Sequence, residues 1–188
     1  MPSSGSISHV KKTFTYKQQC PLKRRAYLER LDAEVRVKGK TPAYVDECGF
    51  PSSDLRRYAY APRGLCAKDK ISGFHRYTST SLIAVRIGDT FTAPVLFQGA
   101  SDTLAFNAWV EPSLCPLLDD KHVVIMDNAS FHKSSETVRL ISQTGASLLF
   151  LPPYSPELNP IEKDFANIKR RYQYTPEASI DQIIKVYN

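Results

Sequence analysis

Three acidic residues lie far apart in the sequence, and each is predicted to stand where a strand ends or a helix begins. Asp46 and Asp127 each follow a predicted strand, whereas Glu162 follows a proline-rich turn at the start of a predicted helix. The ends of neighbouring parallel strands meet at one edge of an open α/β sheet, which is where ligand sites form. We therefore expect the two aspartates to lie close together and the next helix to bring Glu162 to the same place.

Carboxylates gathered in this way favour one kind of chemistry. They repel each other unless they are protonated or bridged by cations. Mg²⁺ and Mn²⁺ prefer such hard oxygen ligands and keep positions open for water and phosphate. Two of these ions, about 3.5–4 Å apart, can activate the attacking oxygen and stabilise the leaving oxygen of a phosphodiester. The pattern therefore favours a metal-dependent nuclease or phosphoryl-transfer enzyme.

Each of these acids also has an interpretation that involves no chemistry. Glu162 lies three residues after Asn159, as in a capping box, and Asp46 and Asp127 can each end a strand in a turn. Glu47 is a weaker candidate than Asp46, because alternation along a strand places its side chain on the opposite face. Taken singly, the acids favour these interpretations, but three of them at converging element ends favour a shared site.

The order of the predicted elements indicates a mixed sheet. Two strands joined at Gly88 and Asp89 follow the strand of Asp46, and so short a connection is typical of an antiparallel hairpin. Two further strands then alternate with helices, as in a parallel sheet. The predicted fold class is α/β, with a central five-stranded mixed sheet (three antiparallel strands, then two parallel) and helices on both faces. The predicted strands are residues 41–45, 77–87, 90–97, 121–126 and 148–151, and the predicted helices are residues 21–37, 102–118 (with Ser101 as the cap), 134–143, 160 onward and 176–187.

The stretch from Leu148 to Arg171 determines where Glu162 lies. Prolines at positions 152, 153 and 156 exclude both a strand ladder and a helix and make a rigid loop. Asn159 is predicted to cap the following helix, with Pro160 as its first residue and Glu162 as its third. Apolar residues at helical spacing then form one core stripe: Ile161, Phe165, Ile168 and Tyr172.

Positive charge is concentrated near the start of the chain. The protein has 188 residues and a net charge of +6, and residues 11–40 contain ten Lys and Arg against three acids, a net charge of +7. A solvated segment and an arm that binds a polyanion explain this equally well. The cysteines form no CxxC pair, which argues against a zinc site. No apolar run is long enough to span a membrane and no signal-peptide core is present, so we expect a cytoplasmic protein.

Three segments of the sequence carry a family resemblance. YVDECGF, VVIMDNASFHKS and LPPYSPELNPIEKDFANIK together resemble the catalytic domain of DDE transposases, in the bacterial insertion-sequence branch of the mariner superfamily. Between Asp127 and Glu162 there are 34 residues, which matches the spacing of the second and third acids in that family. The resemblance covers about residues 41–175, so we divide the chain into a basic N-terminal extension or linker, residues 1–40, and an RNase H-like DDE catalytic domain, residues 41–188.

The resemblance implies a fold, a reaction and a set of partners. It implies an RNase H-like fold in which Asp46, Asp127 and Glu162 are catalytic and bind two Mg²⁺ or Mn²⁺ ions. The implied reaction is cleavage of DNA at transposon ends followed by strand transfer into target DNA. The implied partners are double-stranded DNA, at transposon ends and target, and a second copy of the chain in an active homodimer, with no membrane and with a nucleoid-associated location. The family carries a helix-turn-helix part before the catalytic domain, and about 40 residues are too few for it, so we expect that part to be encoded separately or lost.

Two other functions are compatible with the sequence. One is an RNase H-like nuclease without strand transfer, and the other is an inactive, truncated transposase remnant that only binds DNA or a partner. Further DNA-binding candidates are weaker, since exposed helix faces, packing and turns explain them as well. They are Lys163, Lys169, Arg170 and Arg171 as phosphate contacts, His132 as a DNA contact or proton-transfer group, and Asn128 as a residue that orients water or phosphate.

Overall fold

The computed structural model describes residues 19–50, 63, 79–175 and 177–187, and its centre is a five-stranded mixed sheet. The strands lie in the order β3-β2-β1-β4-β5. Strands β1, β2 and β3 pair antiparallel, whereas β1, β4 and β5 pair parallel. The predicted sheet is confirmed. The strands are β1 (Thr41–Phe50), β2 (Thr80–Ile87), β3 (Thr90–Gln98), β4 (His122–Met126) and β5 (Ser147–Phe150).

Helices cover both faces of this sheet, as predicted. Alternation along β1 sends Ala43 and Val45 into the apolar cluster beneath α2 and α3, and sends Cys48 and Phe50 into the cluster beneath α4 and α5. None of the helices in the described ranges is both long and apolar enough to cross a bilayer. The helices are α1 (Pro21–Asp32), α2 (Thr103–Trp109), α3 (Ser135–Gln143), α4 (Ile161–Tyr174) and α5 (Ile180–Lys185).

Helix α1 carries much of the basic segment, and it packs directly on the sheet. Tyr27 is only 5% exposed and lies in an apolar cluster with Val123, Ile125 and Leu151. The helix continues through a π-helical stretch, Ala33–Val37, from which Val35 also packs against this cluster. Residues 21–37 therefore cover β4 and β5 on the face that they share with α4.

Strand β1 is longer than predicted, which changes the position of Asp46. The strand runs to Phe50, because β2 pairs with it from Ala43 onward and this pairing ends at the pair Phe50–Thr80. Pairing with β4 stops earlier, at Tyr44–Ile125. Asp46 therefore lies inside a strand and not at its end, as the sequence had suggested. It still lies just beyond the last residue that β4 covers, and this leaves its side chain accessible from that side.

The helix predicted over residues 102–118 is broken into three pieces. Its α-helical part ends at Trp109 and is followed by a π-helical turn, Val110–Leu114, and a short 3₁₀ turn. Pro112 lies within the π-helical turn and has no N–H for the regular i to i−4 bond, which accounts for the wider turn. The cap is Asp102 and not Ser101, since the Asp102 carboxylate accepts from the Ala105 N–H at 2.8 Å.

The final helix is also shorter than predicted. It covers Ile180–Lys185, and residues 177–179 before it are not helical. Ser179 caps it through a reciprocal pair of bonds with Gln182. These two bonds satisfy the first backbone donors of the helix and fix its start at this serine.

Two substitutions at Tyr27 test whether α1 belongs to the folded domain. We expect Tyr27→Ala to lower the free energy of unfolding by about 3–5 kcal/mol, as for other buried aromatic residues. The Tyr27 hydroxyl is buried without a hydrogen-bond partner in the described part of the chain. Tyr27→Phe should therefore match the wild type or be about 1 kcal/mol more stable. Urea denaturation measures both, and a neutral Tyr27→Ala would mean that α1 does not pack on the sheet in solution.

Candidate active site

One cavity of about 580 Å³ brings the three predicted acids together. Asp46 reaches it from β1, Asp127 comes directly after β4, and Glu162 is the second residue of α4. The rest of the wall comes from the loop after β4 and from the proline-rich loop between β5 and α4. These further lining residues are Asn128, Lys133, Leu151, Pro152, Pro153, Tyr154, Ser155, Pro156 and Asn159.

The proline-rich loop is fixed from both sides. Its first residue, Leu151, extends the parallel pairing by donating to the Met126 carbonyl at 2.8 Å. On the other side Gln19 donates to the Tyr154 carbonyl at 2.6 Å. From α1, Arg24 forms an ion pair with Glu157 of the loop and donates to the Ser155 hydroxyl at 2.9 Å. The start of α1 therefore helps to hold the loop that leads into α4.

Asn159 has a different role from the predicted one. It is 3% exposed, and its amide donates to Asp46 Oδ2 at 2.8 Å instead of capping α4. The helix starts one residue later, with Pro160 in the cap position, so Glu162 is its second residue and not its third. The Asp46 carboxylate also accepts from the Glu47 N–H at 2.8 Å. Asn159 therefore ties the loop to the central strand.

Asp127 is held by His132 from the opposite face of the sheet. His132 Nδ1 lies 2.6 Å from Asp127 Oδ1, and its Nε2 lies 3.0 Å from Glu47 Oε1. The imidazole is fully buried and packs against the rings of Phe106 and Phe131, with centroid distances of 4.4 and 4.3 Å. His132 thus bridges the middle of β1 and the residue that follows β4. Its burial does not agree with the predicted DNA contact, because no part of the ring is exposed.

The electrostatics of the site follow from this packing. Burial raises the pKa of Asp46 to about 7, and repulsion from Glu162, Glu47 and Asp127 adds to the effect. Burial also acts to raise the pKa of Asp127, but hydrogen bonds from His132 and from the Ala129 N–H hold it below its usual value. Hydrogen bonds to Asp127 and Glu47, together with the charges of these two carboxylates, raise the pKa of His132 to about 9 against the effect of its burial. At neutral pH the cavity therefore carries excess negative charge.

The donor atoms of the cavity suit a hard divalent cation. Carboxylate oxygens are the ligands that Mg²⁺ and Mn²⁺ prefer, and a cation would relieve the repulsion around Asp46. Asn159 Oδ1 adds a buried oxygen without a partner among the described residues. As they stand, no three His, Cys, Asp or Glu side chains in those residues enclose a single ion. Both carboxylate oxygens of Asp46, and Oδ1 of Asp127, accept hydrogen bonds from protein donors.

The remaining DNA-binding candidates lie in different places. Asn128 lines the cavity, and Lys163 is exposed beside Glu162. Lys169 Nζ lies 5.9 Å from the centre of the Phe50 ring, two turns along α4 from Glu162. Arg170 and Arg171 line a separate cavity with Arg86, Asp89, Phe91, Asp164, Asn167 and Tyr187.

Sequence reasoning missed the functional neighbours of the triad. The amide of Asn159 and the bridge from His132 to Glu47 both join residues far apart in the chain. Lys133 was also missed, although it lines the cavity and its Nζ lies 5.7 Å from the centre of the Phe150 ring. The only sequence signal for Lys133 was its position six residues after Asp127, in a segment already singled out by its resemblance.

Comparison with known proteins identifies the family. A sequence model of DDE superfamily endonucleases matches residues 42–184. The chain therefore belongs to the DDE superfamily of endonucleases. No significant match was found among curated protein sequences.

Solved structures of Mos1 mariner transposase share the RNase H-like fold of this chain. The paired-end complex with Mg is 16% identical, with a TM-score of 0.68 over 97% of this chain and 58% of the Mos1 chain. The paired-end complex with Mn is 18% identical, with a TM-score of 0.65 over 96% of this chain and 58% of the Mos1 chain. The Mos1 catalytic domain is 13% identical, with a TM-score of 0.59 over 92% of this chain and 82% of the Mos1 chain. This chain spans only 54–63% of the Mos1 chains in the paired-end, pre-cleavage and strand-transfer complexes.

The bridge from His132 predicts a pH dependence of stability. Its pKa is about 9 in the folded protein against an ordinary value of 6.5, so the protonated imidazole stabilises the fold. That contribution is complete below about pH 6.5 and is lost as the pH rises through about 9. We expect the difference in unfolding free energy between wild type and His132→Gln, in EDTA, to shrink over this range. A difference that is independent of pH would contradict the charged bridge.

The contact of Asn159 predicts a loss of cation affinity. We expect Asn159→Ala to weaken Mn²⁺ binding about 10–100-fold, as is usual when a group that orients a ligand is removed. Titration calorimetry measures the affinity. Asn167→Ala is the matched control, since Asn167 lies on α4 but lines the separate cavity. Equal affinities in the two variants would show that Asn159 does not orient Asp46.

Proposed function

We propose that the chain is the catalytic part of a transposase, which cleaves DNA at transposon ends and joins the freed ends to target DNA with Mg²⁺ or Mn²⁺. One observation carries this proposal: Asp46, Asp127 and Glu162 line a single cavity, although they lie far apart in the sequence. Membership of the DDE endonuclease family supports it. The similarity in fold to Mos1 complexes with Mg and with Mn supports the choice of cation.

In the proposed mechanism, different protein groups position or stabilise each of the three acids. Asp46, Asp127 and Glu162 would hold the divalent ions, two in number, which activate the attacking oxygen and stabilise the leaving oxygen of a phosphodiester when they are bound. His132 and the Ala129 N–H fix Asp127, and Asn159 and the Glu47 N–H fix Asp46. Glu162 stands in the first turn of α4, where the helix dipole stabilises its negative charge.

The whole protein requires further parts in this proposal. Its substrate is double-stranded DNA at transposon ends and target sites, and it works as a homodimer near the nucleoid. A helix-turn-helix part would recognise the ends. The Mos1 chains in the DNA-end complexes support this expectation, since they extend well beyond the part that this chain matches.

The Asp127→Asn substitution tests the function. The asparagine keeps the shape of the side chain and removes the charge, so we expect Mg²⁺-dependent plasmid cleavage to be abolished while DNA binding stays close to that of the wild type. Asp120→Asn is the matched control, because Asp120 is exposed and precedes β4 at its opposite end. Cleavage by Asp127→Asn at the wild-type rate would reject the triad.

Analysis of the reaction products separates the three functions considered from the sequence. A transposase produces joined strands together with cut strands. An RNase H-like nuclease produces cut strands only, and an inactive remnant produces neither. Joined products from the wild type, absent with Asp127→Asn, are the result that we expect.

A further inference from the structure

The cations of the basic N-terminal segment fall into two groups in the structure. Five of the seven cations in its described part, residues 19–40, are engaged in ion pairs: Arg24 with Glu157, Arg25 with Glu29, Arg36 with Asp32, and Lys38 and Lys40 with Glu34. Lys23 and Arg30 are exposed and take part in no ion pair within residues 19–50, 63, 79–175 and 177–187. The charge of these two residues is therefore available to a ligand.

Lys23 and Arg30 lie on the same side of α1 and line one groove. They are seven residues apart, which is two turns of helix, and Ala26 and Tyr27 lie between them in the wall of the groove. The opposite wall is the edge strand β5 with the start of the proline-rich loop, residues 148–153, together with Asn128. The groove has a volume of about 360 Å³.

This groove shares part of its wall with the cavity that contains the acids. Asn128, Leu151, Pro152 and Pro153 line both spaces. Lys133 adds a positive charge to the wall of the acid cavity itself, which also contains Asp127. A linear polyanion that lies along α1 would therefore be directed towards the three carboxylates.

We propose that the groove between α1 and β5 binds the phosphate backbone of one DNA strand as it enters the active site. This inference rests on the proposed function and adds the path of the substrate. Two turns of helix place Lys23 and Arg30 about 10 Å apart, which corresponds to about three nucleotides at a rise of about 3.4 Å per strand. Lys23 and Arg30 contact phosphates, and the apolar wall faces sugars and bases.

A peptide strand added to the edge of β5 is the competing occupant. Such a strand would bind through main-chain hydrogen bonds and would need no cations. Lys23 and Arg30, which are exposed and have no acidic partner among the described residues, and the wall shared with the acid cavity favour DNA. If a peptide strand occupies the groove instead, substitution of Lys23 and Arg30 should leave DNA binding unchanged.

The salt dependence of DNA binding tests the inference. We compare Lys23→Ala/Arg30→Ala with Arg25→Ala/Arg36→Ala, which removes the same charge from the same segment but from exposed residues already paired with acids. The probe is a fluorescent 30-base-pair duplex of mixed sequence with a single-stranded 3′ extension, and anisotropy is measured in EDTA so that no cleavage occurs. Thermal unfolding confirms that both variants are folded.

The groove variant should lose two phosphate contacts. Its plot of log K against log salt should become less steep by about 1.8 if the strand is in duplex form and by about 1.4 if it is single-stranded. The control variant should keep the wild-type slope. The charge-conserving variant Lys23→Arg/Arg30→Lys should also show the wild-type slope. An unchanged slope in the groove variant, or an equal change in the control, would overturn the inference.

The same experiments distinguish this inference from the proposed function. If the wild type binds DNA through the groove but produces neither cut nor joined strands with Mg²⁺, the inference stands and the proposed function fails. If the wild type cuts and joins DNA while the groove variant keeps its slope, the function stands and the inference fails.

Discussion

The burial of a carboxylate among other carboxylates is the constraint on which the rest of this structure depends. Burial is the main reason why the pKa of Asp46 is raised to about 7, and the charges of Glu162, Glu47 and Asp127 raise it further. Burying like charges together destabilises a fold unless they are paired or share a cation. The protein offsets part of this cost with the charged imidazole of His132 and with hydrogen bonds from Asn159 and from two backbone amides. The charge that remains makes the cavity attractive to divalent ions.

The pairing of β1 with β4 on one side and β2 on the other lets the acids lie close together while the apolar core stays packed. Beyond Tyr44 the strand is held by β2 alone, which leaves the side nearest β4 free for the acids. Alternation then turns Asp46 towards the cavity and Glu47 towards His132 on the other face. A single strand therefore supplies one acid for the site and another for its support, while its apolar neighbours fill the cores on both faces.

The sequence predicted the architecture and the meeting of the three acids in one cavity because both leave local or regular patterns. Periodicity predicts strands and helices, and each acid lies close to the end of a predicted element. The supporting contacts leave no such pattern. Asn159 and Asp46 are 113 residues apart, and His132 and Glu47 are 85 apart. The position of Asn159 before a helix predicts a cap, and nothing near it in the sequence indicates its contact with Asp46. Which cations of α1 are paired also depends on three-dimensional packing.

The contact between Gln19 and Tyr154 has a consequence for how a displacement of the chain would reach the active site. Gln19 lies just before α1 and donates to a carbonyl of the loop that forms the rim of the acid cavity. The same loop leads into α4, which carries Glu162 in its first turn. A shift of the chain at Gln19 would therefore be transmitted through the loop to the third acid.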